Sequence, residues 1–487
     1  MAAFTVSGAA SELTLPEGEH FMVKTVARNA VRIQYAAGTS VHSTTPDWAY
    51  VSNETVESDQ IKVDIDEQQG RIDVRNQDGQ VVFSATSHSL RATTVDGEPT
   101  YEATLSIASP KDEYLFGLGQ FQDDYSNVRG LPRRLTQVNT QIAIPMIISS
   151  KGYGVLWNNY GLTEFNPCDQ HVKLDKQLGA GQREVVNVTS TEGGKQEVRQ
   201  RHFFAATIEV KTDGDYALLL DVGQKMARRH NLSIDGETVI EMQNLWLPPT
   251  ASTIVHLKKG KHQLSAELND GDQPTVYYNK VEDKTTFRSP VADAVDYTVF
   301  IGTPDEIIAT YRKLTGAAPK MPSWALGYIH CRERFHSQEE LLSTATRFHR
   351  EQLPVDMMVQ DWQYWGKYGW NSMQFDEDNY PDPKAMTDSL HRMGMRLMVS
   401  VWSKIDKNSQ VGKEMEQGNY YIPGTDWIDF FNPEAAAAYW KNFRERLLPL
   451  GIDAWWQDAT EPENDDLAGT RVNNGQWAGE RVRNVYP

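Results

Sequence analysis

Short runs in which apolar and polar residues alternate fill the first third of the chain. Examples are FMVKTVA, VRIQYAA, IKVDID, RIDVRN and VVFSA, and turns rich in Gly, Asn and Asp separate them. A period of two places one face of a strand in a core and the other face in solvent. The pattern predicts an antiparallel β-sandwich over residues 1–185, completed by the strand-like residues 283–305.

A second β-rich stretch occupies residues 186–282. It contains FFAATIEVK, DYALLLDVG and STIVHLKKGKHQLSAEL, and the turns fall at Asp213-Gly214, Asp235-Gly236 and Lys259-Gly260. Turn dipeptides between strand-like runs are typical of antiparallel hairpins. We predict a separate β domain that is inserted in the sandwich.

The period changes at about residue 323, after a predicted linker over 306–322. Near-continuous apolar runs, which are typical of parallel strands covered on both faces, lie at 325–331, 355–361, 396–402 and 453–458. Helix-start signals stand between them: Ser337 with Glu340, Asp382-Pro383 and Asn432-Pro433. The chain is therefore predicted to be a multidomain protein with an α/β domain over 323–487.

Four successive βα units are compatible with a (β/α)8 TIM barrel or a doubly wound sheet. The strands lack a Gly-rich phosphate loop at their ends, which favours the barrel. A complete barrel takes about 250 residues, whereas residues 323–487 number about 165. We expect the first half of a barrel, whose unpaired edge strands leave association into a homo-oligomer open.

Charge and composition narrow the class of partner. The net charge is −18, with 48 Lys plus Arg against 66 Asp plus Glu, so nucleic acid is not an expected partner. The 13 Trp and 20 Tyr, many of them beside carboxylates in the last third, suit the C–H faces and hydroxyls of a sugar as well as core packing.

The sequence predicts neither a metal site nor a cofactor. The two cysteines, Cys168 and Cys331, are far apart and form no zinc or redox pattern. No apolar run reaches the length of a membrane span, and MAAFTVSGAASELTLPEGEH lacks the regions of a signal peptide. A cytoplasmic location stays open beside a periplasmic or extracellular one with the leader removed.

Polar residues follow the predicted parallel strands, where barrels place their reactive groups. Asp361 comes with Trp362, Trp402 with Lys404, and Asp458 with Glu461. A single Asp at a strand end can serve as a helix cap. Three strand ends that combine an aromatic and a charged residue favour a binding or catalytic pocket, and two carboxyl groups are what cleavage of an acetal requires.

The succession WALGYIHCRE, VQDWQYWG, FDEDNYPDPKAM, LMVSVWSK, WIDFFNPEA and WWQDATEPE resembles the catalytic core of glycoside hydrolase family 31. The resemblance implies retention by double displacement, with Asp458 as nucleophile and Glu461 supporting it. Asp361 would hold sugar hydroxyls, and Trp402, Trp456 and Lys404 would line the same subsite.

The resemblance extends to the sandwich. YLFGLGQFQDDYSN and SSKGYGVLWNN resemble the N-terminal, galactose-mutarotase-like domain of the family, whose loop would bring Gln122, Asp123 and Asp124 to the aglycone side. The family's acid/base follows a later strand and is expected to be absent from this chain. Asp465 and Asp466 have no counterpart in that role and are expected to be solvated.

Two features bear on the substrate, an oligosaccharide. Trp362 and Gln363 follow the pocket aspartate where typical α-glucosidases have a smaller aliphatic residue and an Asp, and a bulky indole there would crowd a hydroxymethyl group. DVGQKMARRHNLSIDG, followed by KKGKHQLSAEL, resembles the PA14 domain, an insertion found in α-xylosidases that act on xyloglucan oligosaccharides. An α-xylosidase is expected. An α-glucosidase and an inactive carbohydrate-binding fragment are the alternatives.

Overall fold

The computed structural model describes residues 3–6, 9–15, 18–38, 45–52, 54–66, 68–178, 181–190, 193–461 and 467–487. The chain forms two compact units. The first consists of Met1–Ala317 with Glu480–Val485, and the second of Ala318–Gly479 with Tyr486–Pro487. Among the helices described, none is long and apolar enough to cross a membrane.

The first unit is built almost entirely from antiparallel strands. In chain order they are β1 (Ala3–Val6), β2 (Ala10–Thr14), β3 (His20–Ala27), β4 (Ala30–Ala36), β5 (Lys62–Asp66), β6 (Ile72–Arg75), β7 (Val81–Val95), β8 (Glu98–Ala108), β9 (Leu115–Gln120), β10 (Arg133–Leu135), β11 (Ile142–Ser149), β12 (Tyr153–Trp157), β13 (Thr163–Phe165), β14 (Gln170–Lys173), β15 (Asp175–Lys176), β16 (Arg183–Ser190), β17 (Gly193–Val210), β18 (Gly214–Asp221), β19 (Ala227–Ile234), β20 (Glu237–Leu247), β21 (Thr250–Leu257), β22 (Gly260–Asn269), β23 (Thr275–Lys280), β24 (Lys284–Ala292) and β25 (Val295–Ile301).

The predicted sandwich is present and consists of two sheets. Their strand orders are β1-β5-β6-β7-β8-β24-β13-β10 and β2-β3-β4-β25-β12-β11-β9. Alternating side chains from both sheets, among them Phe21, Ile65, Leu105 and Tyr297, form one buried apolar cluster. Strands β24 and β25 return to the two sheets after the intervening residues, as the sequence pattern predicts.

Residues 170–280 form two further sheets, ordered β14-β23-β18-β21 and β15-β17-β22-β19-β20 with β16 paired to β17. They have a buried core of their own, which includes Phe204, Leu218 and Leu264. The likeness of this β module to PA14, and the domain boundaries given above, stay predictions.

A helix occupies most of the segment expected to be a linker. Helix α1 (Pro304–Thr315) has Thr303 as N-cap, and Glu306 completes a reciprocal capping box. Ile307 and Leu314 are buried in an apolar cluster with Phe300 of β25. The sequence pattern missed this helix, although its Thr-Pro-Asp-Glu start is a helix-start signal.

The second unit alternates strands and helices. In chain order these are a 3₁₀ turn (Ser323–Leu326), β26 (Ile329–His330), α2 (Gln338–Arg350), β27 (Met357–Gln360), a 3₁₀ turn (Gly366–Tyr368), α3 (Pro383–Arg392), β28 (Arg396–Trp402), α4 (Gln410–Gln417), α5 (Pro433–Arg446), a 3₁₀ turn (Leu448–Leu450), β29 (Ala454–Asp458), β30 (Arg471–Val472) and β31 (Trp477–Ala478), followed by α6 (Gly479–Val482) and a 3₁₀ turn (Arg483–Val485).

Strands β26 to β29 form one parallel sheet in chain order. Parallel neighbours in chain order, joined by helices, are what successive βα units of a barrel produce. Helices α2, α3 and α5 begin at the predicted signals, with Ser337, Asp382 and Asn432 as N-caps. Closure of a half barrel stays a prediction.

Three details differ from the sequence prediction. Strand β26 is only two residues long, because Ser323–Leu326 after Pro322 form a 3₁₀ turn. The Glu340 amide donates to the Ser337 hydroxyl, as the predicted capping box requires. The Glu340 carboxylate, however, accepts from the amide of His336 at 2.7 Å, one residue before the N-cap. Helix α4 was not predicted, since it is short and contains Gly412, a poor helix former.

Candidate active site

Three of the predicted site residues meet at the carboxyl edge of the parallel sheet. Asp361 follows β27, and Trp402 and Asp458 end β28 and β29. Trp402 and Asp458 are directly paired in register. Because β28 lies between β27 and β29, the two carboxyl groups flank one strand.

Asp458 is half-buried and held by two donors. The amide of Ala459 donates to its Oδ1 at 2.9 Å. Burial raises the pKa of the Asp458 carboxyl, whereas hydrogen bonds from the Ala459 amide and the Trp402 side chain oppose that rise. Such bonds favour the ionised form, which is the form that attacks an electrophilic carbon.

Asp361 lies deeper, with 8% of its surface exposed. Burial raises the pKa of Asp361 to about 6, opposed by the Ser400 hydroxyl and the Trp362 amide and increased by the charges of Asp458 and Glu333. The Trp362 amide donates to Asp361 Oδ1 at 2.7 Å. Neither Asp361 nor Asp458 forms an ion pair with a cation in the described part of the chain.

The helix-cap alternative fails for Asp361. The residues after it form turns, and the next α-helix, α3, begins only at Pro383 and is capped by Asp382. Its one local backbone partner is the amide of the next residue, Trp362, which is too near to be a capped helical amide. Asp361 therefore does not serve as a helix cap.

Four tryptophans pack beside the carboxyl groups. Trp365 and Trp370 each approach Trp402, at centroid distances of 5.2 and 5.3 Å. Trp370 also contacts Trp362 at 5.7 Å and Trp365 at 5.2 Å. Trp365 and Trp370 were not among the predicted site residues, although the segment WQYWGKYGW carries three tryptophans in nine residues.

Two cations lie on this tryptophan cluster (Trp362, Trp365, Trp370 and Trp402). The Arg334 guanidinium is 4.8 Å from the ring centroid of Trp362, and Lys404 Nζ is 6.0 Å from that of Trp370. Both distances are within the range of cation–π attraction. Lys404 therefore contacts the cluster through an indole, and its predicted place in the subsite stays a prediction. Arg334 is a further neighbour that was not among the predicted site residues.

The end of β28 is fixed by buried polar side chains. Asn371 donates from Nδ2 to the Trp402 carbonyl at 2.6 Å and to the Lys404 carbonyl at 3.1 Å. The Tyr439 hydroxyl donates to the same Trp402 carbonyl at 2.8 Å. Two donors on one carbonyl hold the Trp402 backbone beside Asp458.

The other predicted site residues of this unit, Trp456, Gln363 and Glu461, are more exposed than Asp361 and Trp402. Trp456 of β29 is 37% exposed and stands opposite Ser400. Gln363 is half-buried and is joined to Trp362 by a cis peptide bond. Glu461 is half-buried and is the last residue described before 462–466, so Asp465 and Asp466 lie outside the described residues. The predicted supporting role of Glu461 stays a prediction.

Asp123 and Asp124 belong to the first unit. Asp123 forms an ion pair with Arg133 at 2.9 Å, and the Arg133 guanidinium also stacks on Phe121 at 3.9 Å. Asp124 is exposed and has a positive φ of 60°. Their predicted contact with the aglycone, and that of the exposed Gln122, stay predictions.

The described residues contain no group of three or more His, Cys, Asp or Glu side chains placed to hold a metal ion. The geometry at the sheet edge is instead a pair of carboxyl groups within an aromatic wall. Paired carboxyls next to indole faces suit a sugar, whose hydroxyls need acceptors and whose ring faces are apolar.

Comparison with known families agrees with this geometry. Residues 318–487 match the profile of the Glycosyl hydrolases family 31 TIM-barrel domain, and residues 14–166 match the Glycosyl hydrolase 31 N-terminal galactose mutarotase-like domain. The two matches lie in the same order as the two units and together cover about two thirds of the chain. The chain belongs to glycoside hydrolase family 31.

Relatives within family 31 include enzymes of both expected specificities. An alpha-xylosidase of Saccharolobus solfataricus is 29% identical over 419 residues, 83% of this chain and 41% of the relative. Alpha-glucosidase 2 of Bacillus thermoamyloliquefaciens is 28% identical over 258 residues, 46% of this chain and 32% of the relative. This chain thus spans less than half of either relative.

A solved family 31 structure has the same fold. The alpha-xylosidase from Xanthomonas citri superposes with a TM-score of 0.83 at 22% identity, over 99% of this chain and 60% of that one. At this identity the likeness concerns the fold, an N-terminal sandwich followed by the first strands of a family 31 barrel.

Proposed function

We propose that this chain carries the nucleophile side of a retaining α-glycosidase that removes terminal α-xylosyl residues from xyloglucan-type oligosaccharides. The observation that carries the proposal is the carboxyl pair of Asp361 and Asp458 at the carboxyl edge of a family 31 sheet. The proposal concerns the whole protein to which these units belong, because the relatives are longer than this chain.

In the proposed reaction a carboxylate oxygen of Asp458 attacks the anomeric carbon. The bond from that carbon to the leaving oxygen breaks, a glycosyl ester forms on Asp458, and water later cleaves the ester with net retention. The amide of Ala459 and the side chain of Trp402 donate to Asp458, which favours its ionised form against the effect of burial and orients the carboxylate. The acid/base that protonates the leaving oxygen is assigned to no residue of this chain.

Asp361 is proposed to bind hydroxyl groups of the same sugar. With its pKa raised to about 6 by burial, its carboxyl exists in both protonation states near neutral pH. A protonated carboxyl can donate and an ionised one can accept, so both suit a sugar hydroxyl. Trp402 and Trp456 would offer apolar surface to the ring, and Gln363 and Lys404 would lie at its margin.

The preference for xylose rests on Trp362. Its half-buried indole follows the pocket aspartate and contacts Trp370. A fixed indole at that wall would leave no room for the hydroxymethyl group by which glucose exceeds xylose. The α-xylosidase relative, which aligns over 83% of this chain, supports this assignment.

Two alternatives to α-xylosidase activity remain under consideration. An α-glucosidase relative aligns over 46% of the chain, so glucose is the second candidate substrate. A carbohydrate-binding role without turnover would need only the carboxyl pair and the aromatic wall. The PA14-like β module at 186–282 would assist substrate recognition in any of these cases.

Trapping of the glycosyl ester tests the nucleophile without the acid/base. We would incubate the chain with 5-fluoro-α-D-xylopyranosyl fluoride, whose fluoride leaves with its electron pair and needs no protonation. Asp458 is expected to gain a 5-fluoroxylosyl group, because the second fluorine slows hydrolysis of the ester. Mass spectrometry of the digested protein locates the label.

The matched variants are Asp458→Ala and Asp388→Ala, the latter an exposed carboxylate of α3 that pairs with Lys384. Asp458→Ala should lose the label completely and Asp388→Ala should keep it. A folded wild-type chain that stays unlabelled, or a label on another residue, would refute the assignment of Asp458. Faster labelling by the glucosyl analogue would favour the α-glucosidase.

A further inference from the structure

Two arginines of the loop after β26 have different partners. Arg332 pairs with Glu340 of α2 at 3.0 Å and lies 5.3 Å from the ring centroid of Phe335. Arg334, two residues later, instead places its guanidinium 4.8 Å from the ring centroid of Trp362. One arginine thus contacts a neighbouring helix, and the other contacts the wall of the candidate pocket.

Trp362 is held from several sides. Its backbone amide donates to Asp361 at 2.7 Å. Its ring contacts Trp370 at 5.7 Å, and Trp370 is itself packed on Trp365 and Trp402. Trp362 and Trp370 both pack against the unit's apolar core, and Arg334 reaches Trp362 from the loop after β26.

The Arg334 contact has an electrostatic and a steric component. A guanidinium over an indole is attracted by the ring's negative face, and its planar shape can stack flat against the ring. A half-buried indole that loses such a neighbour gains rotamer freedom, since one side of its packing becomes open. Loss of Arg334 would therefore leave Trp362 in the wall but change the position of its indole ring.

Position matters because xylose and glucose differ by one hydroxymethyl group. A site distinguishes a ligand that is one small group larger only as far as the wall that meets the group resists displacement. A fixed Trp362 excludes the extra group, whereas a mobile Trp362 can move aside and admit it. The stiffness of this wall therefore sets the discrimination.

We propose that Arg334 is a positioning residue that fixes Trp362 and, through it, sets the preference for pentosyl over hexosyl groups. The proposal rests on the proposed function, since it deepens the specificity of the same pocket. Arg334 need not contact the sugar. Its effect is exerted on the indole, which distinguishes it from a residue that binds substrate.

The test compares the labelling rates of 5-fluoro-α-D-xylopyranosyl fluoride and 5-fluoro-α-D-glucopyranosyl fluoride. The variants are Arg334→Leu, Arg334→Lys and the control Arg332→Leu, which removes the same charge from the same loop. Arg334→Leu should reduce the xylosyl-to-glucosyl rate ratio about three- to tenfold, and Arg334→Lys by less, since ammonium retains part of the attraction. Arg332→Leu should leave the ratio within about twofold.

A second measurement does not require labelling. The 13 tryptophans are replaced by 5-fluorotryptophan, and the fluorine NMR signal of Trp362 is identified by its loss in Trp362→Phe. In Arg334→Leu this signal should shift or broaden, and in Arg332→Leu it should stay unchanged.

The outcomes separate the two proposals. If the wild type takes neither label, the proposed nucleophile fails, and the Trp362 signal then decides the Arg334 proposal alone. An unchanged Trp362 signal in Arg334→Leu overturns it. So does an unchanged rate ratio in a labelled, folded Arg334→Leu, or an equal change of ratio in Arg332→Leu.

Discussion

Buried carboxylates are treated differently in the two units. In the sandwich, Asp296 is 8% exposed and accepts bonds from Arg32, Gln34 and Asn158. In the α/β unit, Asp361 is equally buried, yet no described cation pairs with it, and burial raises its pKa to about 6. The same residue type at the same exposure thus has opposite electrostatic surroundings.

The difference indicates which carboxylates are structural. Burial of a charge is costly unless a partner and hydrogen bonds compensate it, and the sandwich supplies both. A buried carboxyl group that has hydrogen bonds but no cation beside it is a candidate for function. Ligand binding needs groups that the fold has not already fully paired. Asp361 and Asp458 meet this description, and Asp296 does not.

The largest expected effect comes from removing the cation that compensates buried Asp296. Arg32 donates to Asp296 at 2.9 Å and to Asp47 at 2.6 Å. Arg32→Leu would leave Asp296 buried without its cation and is expected to lower the free energy of unfolding by about 3–5 kcal/mol. Urea denaturation followed by circular dichroism measures the change.

The control for this change is Arg71→Leu, which removes an exposed arginine paired with Asp73 at 3.1 Å. Exposed pairs contribute little, so a loss below about 1 kcal/mol is expected. Equal losses in Arg32→Leu and Arg71→Leu would show that burial does not distinguish the two ion pairs.

The sequence predicted the strands that carry these carboxyl groups better than it predicted the contacts around them. Strand β28 was predicted at both ends because residues 396–402 are almost uninterruptedly apolar, and Asp361 and Asp458 followed from the strand ends. A strand end fixes where a carboxyl lies along the chain. It also fixes the edge of the sheet at which the carboxyl stands.

Contacts made by loops were not predictable in this way. Arg334 and Trp362 are 28 positions apart, with α2 and β27 between them, and hydrophobic periodicity carries no information on the course of the loop that carries Arg334. The same holds for Asn371, whose positive φ of 51° and two bonds to carbonyls of the 402–404 segment depend on a turn. Pairing of Asp123 with Arg133 also needed the structure.

The next largest effect concerns Asp361, the buried carboxyl group that has no described cation beside it. In the folded chain the pKa of Asp361 is raised from 3.8 to about 6, so the folded state binds this proton more tightly than the unfolded state. Its ionised form is therefore destabilising above pH 6, and that cost disappears as the pH falls towards 4. Asp361→Asn should raise the free energy of unfolding by about 1–3 kcal/mol at pH 8, and the gain should vanish near pH 4.

Asp376 is the matched control for Asp361, since it is 5% exposed in the same unit. Unlike Asp361, it faces a cation, Lys367, at 3.5 Å. Asp376→Asn is expected to give no gain at pH 8. Stabilisation by both substitutions would mean that burial alone, and not the missing cation, sets the cost at Asp361.

The smallest effect concerns a third kind of carboxylate, one compensated by a backbone amide. Asp382 caps α3, and its Oδ1 accepts from the Ala385 amide at 2.9 Å. Asp382→Ala removes the acceptor and should cost about 1 kcal/mol, whereas Asp382→Asn keeps an acceptor and should cost only a few tenths. Urea denaturation at pH 7 compares the two variants. If Asn and Ala cost the same, the negative charge near the helix N-terminus, rather than the capping bond, is what stabilises α3. The helix N-terminus would then compensate the charge of Asp382 as Arg32 compensates that of Asp296, whereas Asp361 has no described positive charge beside it.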